Sequence, residues 1–223
     1  MNPTIAKGEA TLSVSQMDAA IEYLRRGDPI LVMDDVGREH EGDLVLAAEL
    51  ATPETVNFLI RNACGLMCVA LTSEIALQLR LRRMVRRNQD PHGTAFTTSV
   101  DAHQRHGVTT GISAWDRCTT ARLLADPNAV ADDFRQPGHM FPLVAVPGGV
   151  LRRRGHTEAS TDLLQIAGLR PVAIIMEVLR EDGSMARQDD LATLAANWRM
   201  PLLTVEEIAT SVSAGAPLQS ASR

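Results

Sequence analysis

Residues 30–49 read ILVMDDVGREHEGDLVLAAE and contain the pattern on which the fold prediction rests. The apolar run at 30–33 is followed by residues 34–43, which hold five carboxylates, two glycines and one arginine. Neighbouring carboxylates repel one another unless a cation or hydrogen-bond donors neutralise them. The pattern predicts two buried strands, at 30–34 and 44–48, joined by a loop that holds a divalent metal and a polar substrate. A solvated charge run is the alternative, but apolar strands flank the loop and its glycines allow close backbone approach.

Outward from this loop, helical and strand patterns alternate along the chain. Capping residues and helix-ending glycines set most of the predicted helix limits. Helices are predicted from Ser15 to Gly27, from Ser113 to about 125, from Thr157 to Gly168, at 188–198 and at 206–213, and two more begin at Thr52 and Ser73. The other strands are predicted at 66–71, 95–100, 141–146, 172–178 and 202–205.

This alternation predicts an α/β (α+β) fold, a single layered domain with a mixed β-sheet flanked by helices. The 223 residues are enough for one large domain with its own core. The catalytic domain is expected at 14–213. Flexible ends are expected at 1–13 and at 214–223, the latter rich in Ala and Ser.

Composition excludes several functional classes. The formal charge of −5 is spread along the chain, so no nucleic-acid partner is expected. No apolar window is long enough to cross a bilayer, and residues 1–14 lack the pattern of a signal peptide, so no membrane partner is expected either. The cysteines Cys64, Cys68 and Cys118 form no CxxC pair, which favours reduced thiols over disulfides or zinc. A cytoplasmic protein is predicted.

The acidic loop offers ligands for Mg²⁺, which prefers oxygen ligands and keeps several waters. Glu39, Glu41 and Asp43 have equal parity, so an extended chain would point them to one side and Arg38 to the other. These carboxylates are therefore candidate metal or substrate ligands.

A second candidate segment, Arg152–Glu158, reads RRRGHTE. Three arginines before a glycine and a predicted helix start suit a phosphate, which guanidinium groups, free backbone N–H groups and the helix dipole would bind. His156 is a candidate metal ligand or acid–base group. In the simpler alternative the arginines form a solvated turn and Thr157 only caps the helix.

Four more residues are candidates, each with a simpler alternative. His139 follows a predicted Pro-Gly turn, and taken alone it is better explained as a loop residue. Glu177 lies within the apolar run 174–179, where a carboxylate is paired or functional if the strand is central and faces water if the strand is at an edge. Cys68 fits a small core residue better than a nucleophile. Thr110 precedes a capped helix whose amides suit a phosphate.

Six motifs occur in order along the chain and together carry a family resemblance. They are DDVGREHEGDLVLAAE at 34–49, GLMCVAL at 65–71, TAFTTSVDA at 94–102, TTGISAWDR at 109–117, RQPGHMFPL at 135–143 and GHTEASTDL at 155–163. They resemble the 3,4-dihydroxy-2-butanone 4-phosphate synthase family of riboflavin biosynthesis, over about residues 15–212. The family's usual fusion partner, a zinc-dependent GTP cyclohydrolase II domain, finds no match, so a monofunctional form is expected.

The resemblance implies roles residue by residue. Glu39 and His156 match the family's Mg²⁺ ligands, with Mn²⁺ as a substitute, and His139 and Glu177 match positions essential for catalysis. Substrate-binding positions are expected at Arg38, Glu39, Asp43, Cys68, Thr110, Arg153, Arg154, Gly155, His156, Thr157 and Glu177. A carboxylate, Asp43 or Glu41, is expected to remove the substrate's α-proton. A homodimer with sites near the subunit interface is implied. His40 departs from the family, which has asparagine there, and Arg154 stands where a small residue is common.

The implied reaction is the magnesium-dependent conversion of D-ribulose 5-phosphate to formate and L-3,4-dihydroxy-2-butanone 4-phosphate by a lyase. Two alternatives stay open. One is a pentose-phosphate isomerase or epimerase, which shares the enediol but not the carbon loss. The other is a non-catalytic sugar-phosphate binding paralogue, in which His40 prevents turnover but not binding.

Overall fold

A mixed seven-stranded β-sheet forms the centre of the protein, whose residues 15–215 are described by the computed structural model. The strands are β1 (Ile30–Met33), β2 (Gly42–Ala47), β3 (Cys68–Leu71), β4 (Val100–Ala102), β5 (Phe134–Val144), β6 (Val172–Glu177) and β7 (Leu202–Thr204). Their order is β4-β5-β3-β6-β2-β1-β7, and only the pairs β1–β7 and β3–β5 are parallel. The predicted mixed sheet is confirmed. The ends expected to be flexible, 1–13 and 214–223, lie outside the described residues, apart from residues 214 and 215.

Eight helices pack around the sheet in the described part of the chain. They are α1 (Gln16–Arg26), α2 (Pro53–Asn62), α3 (Ser73–Gln78), α4 (Ala114–Ala125), α5 (Gly149–Arg152), α6 (His156–Ile166), α7 (Gln188–Trp198) and α8 (Val205–Ser213). The predicted caps explain several limits: Ser15 and Thr52 accept backbone N–H groups of the first turn, and Gly27 ends α1 at φ 78°. Within residues 15–215, no helix has both the length and the apolar character needed to span a membrane.

The sheet is covered on both faces, which makes three layers. Side chains alternate along β2, so Leu44 and Leu46 join the core under α2, α4 and α7, while Val45 joins the core under α1, α6 and α8. Every residue of β1, β2 and β3 is buried. Strands buried on both faces have unbroken apolar sequences, which is why the run at 30–33 was recognisable.

Two strand predictions were wrong in their limits. Of the predicted strand at 95–100, only Val100 belongs to β4. β5 begins at Phe134 instead of 141, so the predicted Pro-Gly turn lies inside a strand. The physical reason is a register shift between Val100 and Asp101, where β4 meets β5. A proline is tolerated in a strand at such an irregularity, because no ladder hydrogen bond is required of it there.

Candidate active site and metal site

A polar cavity of about 150 Å³ lies between the acidic loop, the sheet and the start of α6. Nine of the predicted site residues line it. The first half of the chain contributes Arg38, Glu39, Glu41, Asp43 and Cys68, and the second half contributes Arg153, His156, Thr157 and Glu177. The antiparallel pairing of β2 with β6 sets Asp43 opposite Glu177, which brings the two halves together.

Asp34 organises the acidic loop from within. Its Oδ1 accepts the N–H of Glu41 at 2.8 Å, and its Oδ2 accepts the N–H of Glu39 at 3.1 Å and Nη1 of Arg38 at 2.8 Å. Arg38 also donates to Glu39 Oε2 at 2.7 Å. The expectation that Arg38 points away from the acids is therefore wrong: the loop turns back on itself, so the extended-chain parity does not apply to it.

Helix α7 supports the same loop from the side. Nη1 of Arg187, at the start of α7, donates to the backbone oxygens of Glu39 at 2.7 Å and of His40 at 2.6 Å. A Cβ atom on Gly42 would lie 2.5 Å from Cδ1 of Leu191, so this glycine lets α7 pack against the end of the loop. Arg187 was not predicted, because its partners lie far from it in the sequence.

Glu39 and His156 lie close enough to share one cation. Nδ1 of His156 is 3.8 Å from Glu39 Oε2 and 3.9 Å from Asp43 Oδ1. Two ligands of one Mg²⁺ are at most about 4.2 Å apart, twice the usual ligand distance. Among the described residues, Asp43 Oδ1 is buried without a hydrogen-bond partner, which is costly unless a bound group satisfies it. The residues therefore fit a divalent metal.

Asp34 also lies near this pair, with a carboxylate oxygen within 4.8 Å of the ligand atoms of Glu39 and His156. Both of its oxygens already accept hydrogen bonds within the loop. Asp34 is therefore better suited to hold the loop than to bind a metal, and Asp43, with its unpartnered oxygen, is the carboxylate that faces the pair.

The electrostatics of the pocket favour a cation. Burial raises the pKa of Asp43 above its usual range. Burial alone would lower the pKa of His156, but the charges of Asp43 and Glu39 outweigh it and raise that pKa. The imidazole of His156, with Arg38, lowers the pKa of Glu39 to about 2. At 3.8 Å the Glu39–His156 contact is too long for a hydrogen bond, so charge causes the effect. Carboxylates that stabilise an imidazolium also attract a metal cation.

The start of α6 forms the other end of the cavity. No side chain caps this helix at Gly155, so its first N–H groups are available to an anion, next to the buried Thr157. Arg153 is fixed here, since its Nη1 donates to the buried Glu158 at 2.6 Å and its Nη2 donates to Thr94 Oγ1 at 3.2 Å. This end of the cavity suits a phosphate group.

Four predicted site residues do not line the cavity formed by the described residues. Arg154 forms an ion pair with Glu206 on α8. Thr110 is exposed in the loop before α4, and Gly155 only precedes α6. His139, on β5, has a 43 % exposed side chain that contacts Asp101.

The sheet register nevertheless relates His139 to the cavity. Cys68 pairs with Phe141 on β5 and with Ile175 on β6. His139 lies two residues before Phe141 on β5, and Glu177 lies two residues after Ile175 on β6. Since β3 lies between β5 and β6, their backbones are about 10 Å apart. His139 and the cavity-lining Glu177 are therefore on strands that both pair with β3.

Cys68 lines the cavity but is only 2 % exposed, and burial raises the pKa of its thiol. A thiol of raised pKa carries little thiolate at neutral pH, so its position agrees with a packing role rather than a nucleophilic one.

Comparisons with known proteins identify similar sequences. The family model described as 3,4-dihydroxy-2-butanone 4-phosphate synthase matches residues 18–211. The riboflavin biosynthesis protein RibBA of Aquifex aeolicus is 50 % identical over 192 residues, which are 86 % of this chain and 47 % of that protein. The chain thus spans about half the length of such relatives. The 3,4-dihydroxy-2-butanone 4-phosphate synthase of Oceanobacillus iheyensis is 50 % identical over 195 residues, 87 % of this chain and 93 % of the relative.

Solved structures show the same fold. A crystal structure of a 3,4-dihydroxy-2-butanone 4-phosphate synthase in complex with two magnesium ions matches with a TM-score of 0.84 and 43 % sequence identity, and the match covers 87 % of this chain and 95 % of that one.

Proposed function

Because the chain belongs to the 3,4-dihydroxy-2-butanone 4-phosphate synthase family, we propose that it is a lyase that converts D-ribulose 5-phosphate to formate and L-3,4-dihydroxy-2-butanone 4-phosphate in riboflavin biosynthesis. The observation that carries this proposal is the single cavity in which Glu39, Asp43 and His156 face one another beside Glu177 and the start of α6. The two products together contain all atoms of the substrate, so the reaction needs no second reactant.

The metal in this proposal is Mg²⁺, with Mn²⁺ as a substitute, held by Glu39 and His156. The distance of 3.8 Å between their ligand atoms and the unpartnered oxygen of Asp43 support it. When bound, the metal would polarise the substrate carbonyl and stabilise negative charge on the neighbouring oxygens.

Asp43 is the carboxylate best placed to take the α-proton of the sugar. Its Oδ1 is buried and has no partner among the described residues. Its raised pKa makes it a stronger base than an ordinary aspartate at neutral pH. Glu41 also lines the cavity with a pKa raised by burial, but it is close to Arg187, at 3.8 Å. Asp43 is therefore the first candidate and Glu41 the second.

The start of α6 would bind the substrate phosphate. Free N–H groups of the first turn, the hydroxyl of Thr157 and the guanidinium of Arg153 converge on this end of the cavity. Because Glu158 and Thr94 hold Arg153 in place, little side-chain entropy is lost when the phosphate binds.

Glu177 and His139 would transfer protons after the α-proton of the sugar has been removed. Glu177 Oε2 accepts the N–H of Leu66 at 2.8 Å, which holds the carboxylate beside Asp43 at the cavity wall. His139 is on β5, which is separated from β6 by β3, and it would act on the part of the sugar furthest from the bound phosphate. Its ring is partly exposed, which leaves it accessible to a bound molecule.

The assembly in this proposal is a cytoplasmic homodimer. Ile112 and Trp115 are 48 % and 68 % exposed, and they follow Gly111, which contacts Asp101 beside His139. A second copy that covers these apolar side chains would lie near the site, as the family resemblance implies. The three cysteines are all free, which suits a reducing compartment.

The test is carbon-13 NMR of a reaction with uniformly labelled ribulose 5-phosphate and Mg²⁺. The expected result is a formate signal that grows together with the signals of a four-carbon phosphate. A new five-carbon sugar phosphate without formate would replace the proposal with an isomerase or epimerase. Binding without any new signal would indicate the non-catalytic paralogue.

A further inference from the structure

A buried carboxylate outside the cavity is bound directly to His139. Asp101, on β4, is 2 % exposed. Its Oδ1 accepts the backbone N–H of His139 at 2.9 Å, and its Oδ2 lies 2.8 Å from Nδ1 of the imidazole. One carboxylate thus fixes both the backbone and the ring of the same histidine.

Two glycines pack closely against Asp101 and its neighbour Val100. Gly111 has φ 93°, and a Cβ atom there would lie 2.5 Å from Asp101 Oδ1 and closer still to Oδ2. A Cβ atom on Gly138 would lie 2.5 Å from the backbone oxygen of Val100. Two glycines therefore let the loop before α4 and strand β5 close around this carboxylate.

Two arginines balance the charge of the buried group. Nη2 of Arg135 lies 4.0 Å from Asp101 Oδ2. Asp101 also raises the pKa of Arg117 on α4, although burial, the larger effect, lowers it overall. A buried carboxylate of this kind requires compensating charge, and these guanidinium groups supply it.

The geometry determines where the proton of a neutral His139 lies. An ionised carboxylate only accepts hydrogen bonds, so Nδ1 must carry the hydrogen that points to Asp101. Nε2 then holds the free lone pair, on a side chain that is 43 % exposed.

We propose that Asp101 is a positioning residue, which holds His139 in the Nδ1–H tautomer so that Nε2 exchanges protons with the sugar. This inference rests on the proposed function. The competing explanation is that Asp101 only stabilises the β4–β5 junction.

The decisive variant is Asp101→Asn, which keeps the shape but can turn its NH₂ group toward Nδ1. That donor needs an acceptor, so the Nε2–H tautomer of His139 should become favoured. Nitrogen-15 NMR of histidine-labelled protein distinguishes the two tautomers, with the His139→Gln variant used for assignment. We expect kcat for formate release to fall roughly a hundredfold, with KM little changed.

Asp133→Asn is the matched control. Asp133 Oδ1 lies 2.9 Å from Nε2 of His106, so this variant also breaks an Asp–His contact beside β5, at a histidine outside the proposed mechanism. It should leave both kcat and the tautomer of His139 unchanged.

The outcomes test the role of Asp101 and the proposed function separately. A His139 tautomer that is the same in Asp101→Asn overturns the inference, and so does normal kcat despite a changed tautomer. If the unsubstituted protein releases no formate, the proposed function fails. The inference is then judged by the tautomer alone, and loss of the Nδ1–H form in Asp101→Asn still supports it.

Discussion

Nδ1 of His156 lies 3.8 Å from Glu39 Oε2, although one residue belongs to the β1–β2 loop and the other begins α6. This distance matches two ligands of one small cation. Substitution of either residue should therefore remove metal binding without removing the fold, because neither side chain is part of the apolar cores.

Glu39→Gln should weaken Mn²⁺ binding and lower formate release by a factor of a hundred or more, since it removes the charge of a ligand but keeps its size. Calorimetry with Mn²⁺ and a formate assay measure the two effects, and circular dichroism checks the fold. Glu181→Gln, at an exposed position, is the control and should behave like the unsubstituted protein. Unaltered Mn²⁺ affinity in Glu39→Gln would exclude this residue as a ligand.

Removal of divalent metal should abolish formate release reversibly. A chelator is expected to stop the reaction, and added Mg²⁺ is expected to restore it. The melting temperature should also rise with Mg²⁺ concentration, because a ligand that binds only the folded state stabilises it by mass action. Turnover that persists after exhaustive chelation contradicts a metal site at Glu39 and His156.

Arg187→Met should disorder the acidic loop, because it removes the donor that holds the backbone oxygens of Glu39 and His40. We expect Mn²⁺ affinity to fall and the free energy of unfolding to drop by about 2 kcal/mol, the usual value for hydrogen bonds from a charged donor. Arg180→Met, which breaks an exposed ion pair with Asp190, should destabilise the protein less and leave the affinity unchanged. Equal metal affinities in the two variants would refute the supporting role of Arg187.

Gly65→Ala should displace Glu177. The added Cβ atom would lie 2.6 Å from Glu177 Oε2 and even closer to its backbone oxygen, which cannot move without disturbing β6. Overpacking of this kind costs about 1–3 kcal/mol, and formate release should fall as well. Gly37→Ala is the matched change, because its Cβ atom would meet nothing within 4 Å. Urea unfolding and kcat, measured for both variants, test this prediction: Gly65→Ala should lower both stability and kcat relative to Gly37→Ala.

Asp133 should make a pH-dependent contribution to stability. The N–H of Val130 and the guanidinium of Arg105 hold the pKa of this carboxyl below its usual range. A lowered folded-state pKa stabilises the protein above the unfolded-state pKa of about 3.9, and the effect is lost as pH falls below it. The difference in unfolding free energy between the protein and Asp133→Asn should be constant above pH about 5 and shrink below pH about 4. A difference that does not vary with pH would contradict the assignment.

Local patterns in the sequence were sufficient to predict most of the strands and helices of the fold. The strand at 30–33 and β6 are buried on both faces, so their unbroken apolar runs were visible without any partner. Helix limits followed from caps such as Ser15 and Thr52. The start of β5 was missed because Pro137 is compatible with a strand only where β4 shifts its register, and a local pattern does not contain that pairing.

The site residues, too, were predicted where local sequence was sufficient and missed where it was not. The acidic loop, His156 and Glu177 were candidates because their residue types are unusual in their local surroundings. Asp101 and Arg187 were missed, since each acts through a contact with a segment far away in the sequence. The one available signal for Asp101 was a carboxylate between Val100 and Ala102, a strand context like that of Glu177.

The pairing of β2 with β6 has a consequence for synthesis on the ribosome. Asp43 lies opposite Glu177 only after β6 has been synthesised and has joined the sheet. His156 likewise approaches Glu39 only after α6 has packed on the sheet. Contacts of such long sequence separation form late, after the cost of closing the loop has been met. A nascent chain that has only reached β2 therefore carries its acidic loop without the means to trap magnesium or sugar phosphate.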